Sequence, residues 1–237
     1  MTSTATYNFD PAASNLMLTA FGRIGIRRTE ITAQHLTDCE NEANLLQVEF
    51  SNRNPNLWTR QLQSVSLTEG TATYTMPRNI YALVAVYMTT TSGGVSTDRI
   101  LYPYSSFEYS AIPDKTEQGP PTAFWMNRLI TPTITLWPVP DGNATYTLNL
   151  NCLSQIEDVS LANGTTLNVP YRWLDAWTSA LTARLADIYP DALVKSQGPG
   201  AVAGMWAKAE RAWNIAATED KERVPQYLSV STIGYYR

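Results

Sequence analysis

The chain has 237 residues and a net charge of −4, with 44% hydrophobic and only 16% charged residues. An average soluble domain has about a quarter of its residues charged. No basic run is present, which argues against stable binding to a nucleic-acid backbone, since such binding requires a basic surface. The chain contains seven Trp and thirteen Tyr, residue types that are enriched in protein interfaces. We therefore expect much of the surface to be buried in an assembly; a large aromatic core beneath a neutral surface is the alternative.

The N-terminal part of the chain predicts two helices. Asp10 and Pro11 form a typical helix start, and apolar residues then recur at helical spacing as far as Gly25. A second helix is expected to begin at Thr32 and to continue to about Phe50. The short connection over residues 26–31 predicts that the two helices pack as an antiparallel hairpin.

After residue 54 the spacing of apolar residues changes from the helical to the strand period. The pattern predicts a short helix over residues 104–112 and six or seven short strands, which suffice for a small sandwich or open barrel. The predicted strands include residues 57–67, 72–76, 81–91, 99–104, 124–128, 133–136 and 145–150.

The last two strands flank the turn sequence at residues 140–143, which contains Asp141-Gly142. Asp-Gly favours tight hairpin turns, because Gly adopts positive φ without steric cost. We therefore predict a hairpin in which Ile134 and Leu136 lie on one side and Thr133 and Thr135 on the other.

Helical spacing returns at Pro170 and ends at Pro190, and a fourth helix is expected from about Pro199 to residue 218. The predicted fold class is α+β. A helical bundle of two N-terminal and two C-terminal helices, residues 10–53 plus 170–218, would carry an inserted small antiparallel β-sandwich or barrel at residues 57–155. An extended C-terminal arm would follow at residues 224–237.

The sequence gives little support for catalysis or metal binding, and we expect neither an enzyme nor a cofactor. His35 and Cys39 have the helical spacing of two zinc ligands, but a structural site needs four and the chain has one His. Cys39 and Cys152 are expected to be buried free thiols, with a disulfide as the alternative. Paired carboxylates could in principle hydrolyse a glycoside, although solvated or turn-capping roles fit these residues better. The carboxylates concerned are Glu108, Asp114, Glu117 and Asp141.

The C-terminal segment is a stronger functional candidate, because its composition is apolar and aromatic where disordered tails are polar. It could fold back on the β strands as a further strand, or become ordered on a partner. The residues concerned are Tyr227, Leu228, Val230, Ile233, Tyr235, Tyr236 and Arg237.

Several short motifs follow one another in an order that resembles the head-to-tail adaptor (connector) proteins of tailed bacteriophages. They are AFGRIGI at 20–26, TAQHL at 32–36, NLW at 56–58, GTATYTMP at 70–77, YSAIP at 109–113, GPPTAFW at 119–125, TITLWPVPD at 133–141, VPYRWL at 169–174 and ALTARLA at 180–186. The similarity covers roughly residues 14 to 217.

The resemblance implies a virion protein assembled in the host cytoplasm, without membrane contact. It would form a ring of about twelve copies, docked between the portal protein and a tail nozzle or other tail proteins. Double-stranded DNA would pass through the lumen without specific binding, and the C-terminal arm would reach into the portal.

Four residues of the predicted hairpin region are candidates for contact with neighbouring subunits or tail proteins: Trp125, Trp137, Thr133 and Thr135. Core packing is the alternative for the two tryptophans, since Trp is highly buried on average. A different function also stays open, a carbohydrate- or receptor-binding module of a phage tail in which Trp125 and Trp137 stack on a ligand.

Overall fold

The computed structural model describes residues 9–53, 57–161 and 164–220, which form six α-helices and two four-stranded sheets. The α+β class is therefore confirmed. The buried apolar residues form one cluster among the helices and a second one between the two sheets. The helices are α1 (Ala13–Arg23), α2 (Ala33–Arg53), α3 (Ser106–Ser110), α4 (Leu174–Ile188), α5 (Pro190–Gln197) and α6 (Ala201–Glu219). None of the described helices is long and apolar enough to cross a bilayer.

The start of α2 is fixed by reciprocal capping between Thr32 and His35. The Thr32 hydroxyl accepts a hydrogen bond from the His35 backbone N–H at 3.4 Å, and His35 Nδ1 accepts one from the Thr32 N–H at 3.0 Å. These bonds satisfy two donors that lack partners within the helix. The predicted helix start at Thr32 is confirmed.

Helix α4 lies at the centre of the helical part, and α1, α2, α5 and α6 all pack against it. Its sequence is apolar on most sides, as expected for a buried helix. Trp173, the residue before α4, and Trp177 in its first turn are both completely buried. Phe50 of α2 and Trp213 of α6 meet Trp173 edge to face, with ring centroids 5.8 and 4.7 Å away.

Three predictions about the helices are wrong. Helix α1 begins at Ala13 with Ala12 as its N-cap, and not at Asp10 and Pro11. Helices α1 and α2 make little direct contact, because each packs on α4 instead of on the other. The C-terminal part also has three helices instead of the predicted two. Pro190 ends α4 as predicted, but it also occupies the first turn of a further helix, α5, where its missing N–H costs nothing. Helix α5 passes close to Gly25, where a Cβ would lie 3.0 Å from Ser196 Oγ and 3.2 Å from the Ala192 carbonyl oxygen.

The eight strands form two sheets with the orders β1-β8-β3-β4 and β2-β7-β6-β5. All neighbouring strands are antiparallel except β5 and β6, which run parallel. The sheets are thus antiparallel as predicted, apart from the β5–β6 pair. The strands are β1 (Arg60–Ser66), β2 (Thr73–Thr75), β3 (Ile80–Ser92), β4 (Val95–Ile100), β5 (Tyr102–Pro103), β6 (Ala123–Asn127), β7 (Thr133–Trp137) and β8 (Thr145–Ser154).

The predicted hairpin around Asp141-Gly142 does not form. Strand β7 pairs with β2 and β6, whereas β8 pairs with β1 and β3 in the other sheet. The connection therefore crosses from one sheet to the other. Ile134 and Leu136 of β7 and Leu148 of β8 are buried in the same core between the sheets. The apolar side chains of both strands are therefore buried although β7 and β8 do not pair with each other.

A two-residue hairpin occurs instead between β3 and β4. Gly93 and Gly94 connect Ser92 to its partner Val95, with φ of 58° and 81°. Two successive positive φ angles are the requirement of a type I′ turn, which matches the twist of the flanking strands.

The segment that follows β8 is held by polar side chains of α2. Asn44 bonds both backbone groups of Val159, accepting from N–H at 2.7 Å and donating to C=O at 3.2 Å. Ser51 Oγ accepts from the Ile156 N–H, and Glu40 accepts from the Leu161 N–H. Residues 156–161 therefore run along α2 with backbone groups bonded to it. The division into a helical bundle of residues 10–53 plus 170–218 and an inserted domain of residues 57–155 stays a prediction.

A chain of ion pairs links three helices. Arg184 of α4 lies 2.8 Å from Glu42 and 2.6 Å from Glu49 of α2, with side chains 19–30% exposed. Arg53 continues the chain from Glu49 to Glu210 of α6. Desolvation lowers the pKa of Arg184, but the two glutamates outweigh it and the pKa is raised.

We expect Arg184→Leu to lower the free energy of unfolding by about 1–3 kcal/mol, because two partly buried carboxylates lose their shared cation. The control is Arg23→Leu, whose partner Asp175 is 75% exposed and whose loss should cost about 0–1 kcal/mol. Urea denaturation of the full chain measures both. Equal losses for the two variants would show that the Arg184 pairs do not stabilise the helical packing.

Candidate interaction surfaces

A row of hydrogen bonds crosses the outer surface of the first sheet from edge to edge. The Ser64 hydroxyl on β1 donates to Asn149 Oδ1 on β8 at 2.7 Å, and Asn149 Nδ2 donates to Thr89 Oγ1 on β3 at 2.9 Å. The Thr89 hydroxyl donates to Asp98 on β4 at 2.6 Å. We call these four residues the polar row. Each residue of the polar row is hydrogen-bonded to the next, so the row links all four strands of the sheet.

Sequence reasoning missed the polar row. Its members looked like the solvent-facing residues of alternating strands, and Asn149 is in fact only 7% exposed. The short polar residues at every second position were a signal, but which of them meet depends on strand register. Register between strands distant in sequence cannot be read from any one of them.

Exposed aromatic side chains concentrate where β5, α3 and β6 meet. Trp125 of β6 stacks on Tyr109 of α3, with ring centroids 5.2 Å apart and planes 21° from parallel. Lys115 Nζ lies 5.8 Å from the centroid of the Tyr109 ring, within the range of a cation–π contact. Phe107 is 81% exposed and Tyr102 is 65% exposed. We call these residues the aromatic corner: Tyr102, Phe107, Tyr109 and Trp125.

Of the other three predicted interface residues, Thr135 is buried, and Thr133 and Trp137 are half-buried like Trp125. Thr135 is 6% exposed, and its hydroxyl is 3.0 Å from the Thr73 hydroxyl on β2. Trp137 Nε1 donates to the Asp114 carbonyl oxygen at 3.0 Å. Strand β7 lies between β2 and β6 in its sheet, so side chains of both neighbouring strands flank its Thr side chains. The interface role of all four residues stays a prediction.

Three of the four carboxylates considered for acid–base chemistry are occupied in local turns. The Ser105 backbone N–H lowers the pKa of Glu108, which caps α3. The Thr116 hydroxyl lowers the pKa of Asp114, and the Tyr146 hydroxyl lowers that of Asp141. Groups held as carboxylates cannot supply a proton at neutral pH. Glu117 contributes its carbonyl oxygen to the Val139 N–H at 2.9 Å.

His35 and Cys39 do not form a zinc site with other described residues. The His35 ring packs against Phe21 and Tyr189 at 5.8 and 4.7 Å. Burial, assisted by Glu40 and Glu42, raises the pKa of Cys39 to about 12, which disfavours the thiolate that a metal requires. The described His, Cys, Asp and Glu residues form no group of three suited to a metal ion. Cys39 and Cys152 are both buried and free, as expected.

The candidate portal-binding arm, from Tyr227 to Arg237, lies outside the described residues. Helix α6 ends at Glu219, five residues before the predicted start of the arm at residue 224.

The family model described as SU10 adaptor protein matches residues 12–230 of the chain. It covers nearly the whole length, including all described helices and strands and the first part of the arm. No curated protein matches the chain.

We expect Thr89→Val to lower the free energy of unfolding by about 1–2 kcal/mol, because the buried Asn149 Nδ2 then loses its shorter hydrogen bond and keeps only the 3.5 Å contact with the Thr147 carbonyl oxygen. The matched control is Thr91→Val on the same strand, whose hydroxyl meets only the exposed Ser96; its loss should cost below about 0.5 kcal/mol. Urea denaturation compares the two variants. A Thr89→Val variant as stable as Thr91→Val would mean that the polar row does not stabilise the sheet.

Proposed function

Because the chain belongs to the SU10 adaptor protein family, whose members are phage head-tail adaptor proteins, we propose that it is one subunit of a ring joining portal to tail. One side of the ring contacts the portal of the capsid, and the other contacts a tail nozzle or other tail proteins. The ring has about twelve copies, arranged head to tail around a closed rotation axis. The family match over residues 12–230 carries this proposal. The role is structural, and the chain is a component of the virion.

The exposed apolar residues support burial of much of the surface in an assembly. Phe107, Tyr171 and Ile130 are 81%, 78% and 77% exposed in the isolated chain. Side chains of this type are costly to leave in water, and Tyr and Phe are enriched at protein interfaces. Contacts with neighbouring subunits, portal and tail proteins would remove them from solvent.

The charge of the chain suits a passage for DNA. The net charge is −4 and no basic run occurs, so a lumen lined by such chains would lack the continuous basic surface that binds phosphates. Double-stranded DNA can then move through the ring during packaging and ejection without being held.

Residues 224–237 supply the portal contact in this proposal. The apolar and aromatic side chains from Tyr227 to Tyr236 fit a segment that adds a strand to a partner or places rings in its pockets. The family match extends to residue 230, so the first part of the arm belongs to the shared family sequence. The aromatic corner is proposed as a contact with neighbouring subunits or tail proteins, through Trp125 and Phe107.

Electron microscopy of the purified full-length chain, alone and mixed with the portal protein, tests the ring. We expect rings with an axial hole, because identical head-to-tail contacts close when the rotation between copies divides a full turn. A chain that stays monomeric both alone and with portal would contradict the proposal.

Deletion of residues 224–237 should abolish binding to the portal while leaving the folded body unchanged, because these residues follow the last described helix. Circular dichroism and thermal unfolding establish folding, and co-sedimentation with portal measures binding. A full-length control with Tyr227, Tyr235 and Tyr236 replaced by Ser separates the loss of aromatic contacts from the loss of length. Unimpaired docking of the deletion variant would disprove the role of the arm.

A further inference from the structure

We propose that neighbouring copies join by antiparallel pairing of β4 of one copy with β1 of the next, so that one sheet continues through the assembly. This inference rests on the proposed ring, and it names the contact that would build it. It concerns the first sheet, whose two edge strands lie at opposite ends of the order β1-β8-β3-β4.

Both edges are open among the described residues. No described strand lies beyond β1 or beyond β4 in this sheet, and every residue of β4 is exposed. Each edge also presents a large apolar side chain, Leu62 at 59% exposure and Ile100 at 70%. Open edges of this kind are templates for pairing with another chain.

The strand directions allow copies to be added in one orientation. Successive strands of the sheet are antiparallel, so β1 and β4 point in opposite directions. A second copy placed beside β4 in the same orientation therefore presents its β1 antiparallel to it. The contact joins two different edges, which is the head-to-tail type that generates rings.

The backbone of β1 has the alternation needed for this contact. The Leu67 N–H donates to the Tyr146 carbonyl oxygen at 2.9 Å, and the register of β1 with β8 continues without a shift. In an antiparallel ladder, alternate residues direct their N–H and C=O groups to the same neighbour. Residues 67, 65, 63 and 61 thus face β8, while Leu62, Ser64 and Ser66 direct their backbone groups outward.

The backbone of β4 alternates in the matching way. The Leu101 N–H donates to the Val86 carbonyl oxygen at 2.9 Å, and the register from Ile100 to Val95 has no shift. The odd-numbered residues of β4 therefore face β3. Ser96, Asp98 and Ile100 direct their backbone groups away from it.

One register brings these two sets together. Placing Leu62 opposite Ile100 places Ser64 opposite Asp98 and Ser66 opposite Ser96. Every residue in these three pairs has outward-facing backbone groups, so each pair can exchange two hydrogen bonds. Apolar then meets apolar, and no like charges stand opposite each other, as favourable cross-strand pairs require.

The same register brings together the ends of the polar row. Ser64 begins the row at β1, and Asp98 ends it at β4. In the proposed contact Asp98 of one copy lies opposite Ser64 of the next. The inner hydrogen bonds hold both residues in fixed positions on their strands, so the two edges are ordered before they meet.

A second copy explains the two edges better than the chain's own arm does. Residues 221–237 could add a strand to one edge, yet both edges lack a neighbouring strand among the described residues, and the two edges are complementary in direction and alternation. Strand β1 has seven residues without Pro or a register shift, so it lacks two of the devices that protect edges in monomeric proteins.

Thiol crosslinking of the full-length chain tests the contact, because the native Cys39 and Cys152 are both buried. One preparation carries Leu62→Cys and another carries Ile100→Cys, and a short bifunctional thiol reagent is added to each and to their mixture. We expect dimers from the mixture only. The double variant should give a ladder of higher species with loss of the monomer band, since opposite residues lie about 5.5 Å apart.

The matched control replaces Ile100→Cys by Val95→Cys, which is 65% exposed on the same strand. In the proposed register, residue 95 lies opposite residue 67, about 17 Å along the strand from Leu62. Its mixture with Leu62→Cys should remain monomeric on the gel. As a second variant, Ser66→Pro removes an N–H that points away from β8, so it should reduce assembly without unfolding the chain.

The outcomes separate this inference from the proposed function. Samples with and without portal are crosslinked and imaged together. Rings without Leu62–Ile100 crosslinks overturn the edge contact and leave the ring intact. The absence of both rings and crosslinks, with and without portal, overturns both proposals, and crosslinks without rings overturn the ring alone. Dimers within either single-variant preparation indicate a two-fold contact and also overturn it. So do crosslinks that appear only after deletion of residues 224–237, because the arm would then occupy an edge.

Discussion

The burial of α4 is the constraint on which the described structure depends. Helices α1, α2, α5 and α6 all rest on it, and Trp173 at its start contacts Phe50, Trp58 and Trp213. Its buried Thr178 and Thr182 hydroxyls are satisfied within the helix, because they donate to carbonyl oxygens one turn earlier. Trp58 immediately precedes β1, and residues 156–161 follow β8 along α2. The strands therefore begin and end at the helical core that α4 organises.

The elements could be predicted from the sequence more fully than their partners could. Helical periodicity located α2, α4 and α6, and alternation located most strands, because burial of one side of an element imposes its own period. The pairing of strands, by contrast, depends on residues that are far apart in the sequence. Asp141-Gly142 and Gly93-Gly94 are both turn signals, and only the second joins paired strands. The apolar residues of β7 and β8 reach the same core whether the strands pair or face each other, so alternation alone cannot distinguish a hairpin from a crossing between sheets.

The same limit applies to the candidate surfaces. Trp125 could be placed on a strand, and the structure leaves it half-exposed against Tyr109. Thr135 stands at a polar position of an alternating strand, as surface residues do, but β7 has a neighbouring strand on each side and Thr135 is buried. The polar row requires the registers of three strand pairs, and its members come from parts of the chain up to 85 residues apart, as Ser64 and Asn149 are. The arm lies outside the described residues, and its role stays a proposal from composition and family.

Open sheet edges are a liability in a monomer and a contact site in the proposed ring. Monomeric proteins guard sheet edges with charged side chains; here β1 carries Arg60 and β4 carries Asp98 and Arg99, and Asp98 lies opposite the uncharged Ser64 in the proposed pairing. Pairing between copies removes the edges, much as closure does in a barrel. An edge contact alone, however, fixes only the neighbour and not the number of copies, since the same head-to-tail contact generates a ring or an open filament according to its rotation. Contacts of the helical part and of the portal must then set the rotation between copies that closes the ring. In this proposal the sheet edges hold neighbouring subunits together, and the other contacts fix the geometry of the ring.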